Sequence, residues 1–99
     1  MANITADMAV RTMGIPVLLP SPYEPYDVPT TAVSVPDAMV IFAIPGTPVL
    51  PLGTRDPGTE SNPAHGGPRS AASARAQMDA FFHPDGMVVP TCTGVCDPD

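Results

Sequence analysis

Fifteen prolines are spread along the 99 residues of this chain, roughly three times the average usage of that residue. Each removes a backbone donor, holds φ near about −65° and pushes the residue before it toward extended conformations. Long helices and central strands do not survive that pattern, whereas short strands, turns and polyproline II segments do. Material for a core is scarce. Leu, Ile, Val and Phe together number 21, and there is no Trp, a level at the edge of the range where disorder sets in. Six Met add adaptable apolar filling. These features predict a mostly irregular and β fold, a small α+β chain with one short C-terminal α-helix. Its short strands and polyproline II segments should leave it extended rather than compact.

Punctuation by Pro, Gly and charge divides the chain into five parts. Residues 1–20 read as an N-terminal arm, 21–29 as a Pro/Tyr linker and 30–52 as a β core hairpin. Residues 53–69 read as a Gly/Pro loop, and 70–99 as a helix, a short strand and a Cys-containing tail. Within the arm, residues 3–13 can form a short helix capped by Thr5 and closed by Gly14, but their apolar periodicity is loose. Residues 15–19 form a brief apolar strand that Pro20 ends.

The longest unbroken apolar run is AMVIFAI, residues 38–44. Its residues do not alternate with polar ones, so the sequence predicts a strand covered on both faces. Pro45-Gly46 is a type II turn signal, and residues 47–52 are expected to return antiparallel. Residues 30–35 alternate and are rich in β-branched side chains, which predicts another strand. Residues 70–82 are predicted helical, with Ser70 as the cap and a stripe of Ala71, Ala74, Met78, Phe81 and Phe82. Residues 87–89 form a last short strand.

Charge narrows the partners. The net charge is −6, with four Arg and no Lys, too few cations to neutralise a run of phosphates. Neither a nucleic-acid partner nor an anionic membrane surface is expected. The first ten residues lack the basic cluster and continuous apolar core of a secretory signal. No run approaches the ~20 apolar residues of a membrane span, so membrane insertion is not expected.

Candidates for chemistry are few. Cys92 and Cys96 stand in a C-x3-C arrangement, CTGVC. They read as a local disulfide, as free thiols or, with His65 and His83, as a zinc set whose spacing fits no standard finger. No base is tied to a nucleophile, Glu24 and Asp27 lie in a solvated segment, and the Gly66-Gly67 pair lacks the Lys-Ser/Thr of a phosphate loop. No catalytic residue, metal or cofactor is therefore expected. Tyr23 and Tyr26 sit three apart in the Pro-rich segment, which puts both on one edge of a polyproline helix. They read as docking rings for a partner or as rings folded back on their own domain.

The expected function is a non-enzymatic structural accessory subunit that drapes over and cements neighbouring subunits of a large assembly. A virus or bacteriophage particle is the most natural setting, with the virion as location and the cytoplasm as the alternative. The anchors would be Tyr23, Tyr26, Ile41, Phe42, Met78, Phe81 and Phe82. Partners would be coat or complex subunits, or a second copy of the chain. The alternatives are an accessory subunit of a cellular enzyme complex and a small zinc or thiol redox module using Cys92 and Cys96.

Overall fold

Val17 and Leu18 have parallel neighbours on both sides, and the rest of the chain is arranged around them. The computed structural model describes residues 3–46 and 63–96. In it β1 (Val17–Leu18) pairs with β2 (Thr30–Thr31), with Val17 opposite Thr30 and Leu18 opposite Thr31. The Val17 N–H donates to the Pro29 carbonyl at 2.8 Å, and the Leu19 N–H to the Thr31 carbonyl at 2.7 Å. On the other edge of β1 the Met39 N–H donates to the Pro16 carbonyl (2.8 Å), and the Leu18 N–H to the Met39 carbonyl (2.9 Å). The next donor on that edge would belong to residue 20, which is proline and has none. The ladder therefore stops after one bridge, and a cis peptide joins Leu19 to Pro20. Flanked strands of this kind need cover on both faces. Val17 is 0% exposed and Leu18 5%.

The rest is helical where proline permits. Helix α1 (Asn3–Met13) starts two residues before Thr5, so Thr5 lies inside it and is not its cap. It ends in a Schellman motif. Gly14 takes φ 69°, its N–H donates to the Arg11 carbonyl (3.2 Å), and the Ile15 N–H donates to the Val10 carbonyl (2.9 Å). Only glycine enters that left-handed region without steric cost.

A 3₁₀ turn (Pro63–His65) leads into α2 (Gly67–Ser70), which has Pro68 in its first turn, where a missing N–H costs nothing. Ala71, extended at φ −66° and ψ 131°, separates α2 from α3 (Ala72–Phe81). The helix expected over 70–82 thus starts earlier and is broken at Ala71. Ser70 is not a cap; its Oγ donates to the Gly67 carbonyl at 3.0 Å.

The buried face of this region also differs from the expected stripe. Ala71, Ala74 and Gln77 are buried, whereas Met78, Phe81 and Phe82 are exposed. The reason is what the helix packs against. Its neighbour is an extended segment, residues 88–91, whose backbone needs partners. Small alanines allow close approach, and Gln77 supplies the polar groups. Its amide is oriented by its partners, donating to the Val89 carbonyl and accepting from the Val89 N–H at 3.0 Å. Thr91 Oγ1 adds a bond to the Ser73 carbonyl at 3.0 Å. After α3 the chain turns so tightly that a side chain at Gly86 would collide with the Phe81 carbonyl. Val88 then bridges antiparallel to Val35, with bonds of 2.8 and 3.1 Å.

Two sequence expectations are overturned here. The fold is not mostly irregular and β with a single C-terminal helix, and it is not extended. The described residues hold three α-helices and a 3₁₀ turn, and their sheet has two strands of two residues each. The Cα radius of gyration is 14.1 Å, close to the ~13 Å of a compact 100-residue domain. Prolines shorten the elements without preventing the short pieces from folding on one another. Among the described residues, the stretch expected as a strand over 38–44 makes one bridge, at Met39, and its residues are half-buried. The Pro45-Gly46 turn is formed, with Gly46 at φ 75°. The return segment 47–52 lies outside the described residues.

Replacing Gln77 tests the α3 contact. Gln77→Ala strands two backbone groups of Val89 and should cost about 1–3 kcal/mol in urea unfolding. Gln77→Glu should be as damaging near neutral pH, where a buried carboxylate cannot donate. Burial raises the folded-state pKa of such a group, so its stability should be recovered below about pH 4 and lost as pH rises through that raised value.

Candidate interaction groove

Residues 39–44 form one wall of an open groove of about 740 Å³. Ala74, Gln77 and Met78 of α3 and Pro68 and Arg69 of α2 line it too. Ala6 of α1, Pro22 and Tyr23 contribute to the lining, as do Ala64 and His65 of the 3₁₀ turn. The lining is mainly apolar, and none of the described lining residues is Asp or Glu, although the chain has ten of them.

The first wall is backed by the Cys-containing tail. The Ala43 N–H donates to the Cys96 carbonyl at 2.8 Å. Cys92 and Cys96 form a disulfide, with Sγ–Sγ 2.06 Å and Cα–Cα 5.3 Å. A small gap of about 10 Å³ separates Val40 from Pro20 and the two cysteines, barely room for one water. The tail thus takes over the edge that β1 abandons at Pro20. Both sulfurs being bonded to each other, the Cys2His2 zinc set has lost its thiolates. Among the described residues no group of three or more His, Cys, Asp or Glu is placed to hold a metal ion.

Tyr23, in the lining of the groove, is held by its own domain. Its hydroxyl donates to Asp7 Oδ1 at 3.1 Å, and Ser21 Oγ donates to the Tyr23 carbonyl at 2.6 Å. Nearby, Arg11 Nη1 donates to the Tyr26 carbonyl at 3.4 Å, and Pro25 is buried. Residues 21–26 therefore lie along α1. Partial burial, reinforced by the hydrogen bond to Asp7 and its negative charge, raises the Tyr23 phenol above its ordinary pKa of 10.0. Tyr26, by contrast, is 87% exposed.

Of the seven anchors expected from sequence, Tyr23, Ile41, Phe42 and Met78 line this groove. Tyr26, Phe81 and Phe82 do not. Phe81 and Phe82 pack edge-to-face with ring centroids 5.4 Å apart at the end of α3, and Phe82 stays 78% exposed. Sequence reasoning missed Arg69 and Gln77, and considered His65 only as a zinc ligand. Arg69 follows directly on Pro68, and a proline before a possible helix is a start signal that would have moved it from loop to helix. Gln77 lies three residues from Ala74 and Ala80, a placement that alone could have marked it as facing inward.

In comparisons with known proteins, no family model, no curated protein and no solved structure matches this chain. Among the described residues, no helix is long and apolar enough to cross a membrane.

Two measurements check this geometry. Tyr23→Phe should lower stability by less than about 1 kcal/mol near neutral pH, because one partly exposed hydrogen bond is lost. A raised phenol pKa contributes stability that is present below pH 10 and disappears as pH rises through the folded-state value. The wild-type advantage over Tyr23→Phe should therefore vanish in strong alkali. Replacing both cysteines by serine opens a loop with a sequence separation of four, which should cost about 2 kcal/mol. The Ala43 amide should then exchange with solvent faster, while that of Leu18 changes little.

Proposed function

We propose that this chain is a non-enzymatic accessory subunit that docks on a larger protein assembly through the groove. The observation that carries this reading is the gathering of Tyr23, Ile41, Phe42 and Met78 along one concave, mainly apolar surface. Concave surfaces that combine aromatic and aliphatic anchors with a few polar groups are where binding energy concentrates. Acid–base catalysis has less support, because the described lining offers an imidazole and a phenol but no carboxylate and no activated nucleophile.

The draping mode expected from composition required an extended chain, and it is withdrawn with that fold. The argument for a particle coat rested on that mode. Docking through a preformed surface takes its place, and it costs less ordering entropy than wrapping by a flexible chain.

The test is the size of the particle in which the chain runs at native expression levels in its source cells. The chain should migrate in a complex well above its own 10.2 kDa. Met78→Glu, at a position already 40% exposed, should return it to monomer size with its circular dichroism unchanged. Phe82→Glu, outside the groove, should leave the complex intact. A wild-type chain that runs as a monomer, or a complex indifferent to Met78→Glu, overturns the proposal.

A further inference from the structure

Part of the groove wall's main-chain edge, at Val40 and Phe42, has no hydrogen-bond partner among the described residues. The Met39 groups bond to β1, and the Ala43 N–H bonds to Cys96. In extended backbone the direction of N–H and C=O alternates with period two. The groups of Val40 and Phe42 therefore point to the opposite edge, away from β1 and the tail. Neither residue has a main-chain hydrogen bond among the described residues, and both are half-buried on the groove. Half-buried main-chain groups without partners are costly. Exposed edges are ordinarily blunted by Lys, Pro or a bulge, and AMVIFAI has neither residue type.

The lining also supplies charge. The Arg69 guanidinium makes no hydrogen bond or ion pair among the described residues, and His65, four residues before it, is exposed. In a chain of net charge −6, the one fully charged side chain among the described lining residues is this arginine. We infer that the groove takes an extended segment of a partner protein, which pairs as an added strand with Val40 and Phe42 and sets a carboxylate against Arg69 and His65.

This deepens the proposed function and rests on it. Main-chain pairing supplies affinity, and the side-chain pockets and the carboxylate supply selectivity. A second copy of this chain is a poorer occupant. Self-pairing through the same edge would bring two bodies of charge −6 together, and the described groove lining offers no carboxylate for Arg69.

The probe is an acetylated hexapeptide of alternating Thr and Val with a free C-terminal carboxylate, added at about 1 mM to the isotopically labelled full chain. Bound peptide should slow hydrogen exchange of the Val40 and Phe42 amides about tenfold or more, leaving Met39 and Ala43 unchanged. Amidating the peptide C-terminus, or Arg69→Gln in the protein, should weaken binding about tenfold. Methylating alternate peptide nitrogens should abolish it. Unchanged exchange at Val40 and Phe42 overturns the inference, as does equal binding of the methylated peptide. So does protection of these two amides that depends on protein concentration without peptide, since the edge would then belong to a second copy. A complex that is sensitive to Met78→Glu while the peptide leaves both amides untouched sinks this mode of pairing alone; a chain that is monomeric in its source sinks the docking reading beneath it.

Discussion

The hydrogen bonds of β1 set the order of everything around it. Two residues, Val17 and Leu18, hold β2 on one edge and Met39 on the other. Neither neighbour is close in sequence, so this short strand fixes the course of the first half of the chain. Prolines decide where the ladder ends. Pro20 offers no N–H to continue it along residues 39–44, and the Cys96 carbonyl takes the next bond through Ala43 instead. The groove wall is therefore a stretch anchored on one edge at Met39 and Ala43, with Val40 and Phe42 making no main-chain bond among the described residues.

The core explains why backbone contacts matter so much here. Among the described residues its buried apolar members are Val10, Val17, Leu18, Ala71, Ala74, Val88 and Cys96, with no aromatic ring among them. Each contributes modestly, since stabilisation follows the apolar area removed from water. A fold with so little bulk depends on specific bonds to choose its arrangement. Among the described residues, the paired bonds of Val35 with Val88 and the bond from Ala43 to the Cys96 carbonyl join the parts most distant in sequence, and the Gln77 clamp on Val89 fastens α3 to the segment after it. Large apolar side chains such as Phe82 and Tyr26 remain in solvent, where they add nothing to the core.

Some of this was legible in the residues and some was not. The two longest stretches without proline, residues 1–15 and 69–83, contain the two longer helices, α1 and α3. Gly14 marked the end of α1 because a left-handed residue there has few alternatives. The run 38–44 misled, because an apolar stretch without alternation signals burial and not hydrogen bonding. Those residues are half-buried along the groove rather than covered on both faces, and Pro20 removed the donor that would have continued their pairing with β1. The face of α3 misled for a related reason. Bulky residues were assumed to point inward, whereas an extended backbone neighbour selected Ala74 and Gln77. Compactness was missed because proline content limits the length of elements and says little about how short elements pack.

The bond from Ala43 to the Cys96 carbonyl joins positions separated by about half the sequence. Closing so long a loop comes late, since the entropy of the intervening chain opposes it until local pieces have formed. During synthesis the wall of the groove gains its backing only after the ribosome has passed Cys96 and the tail is free to fold back. The wall therefore takes its final form only after residue 96 has left the ribosome and folded back, so anything that recognises its folded shape meets it after synthesis of that segment and not during it.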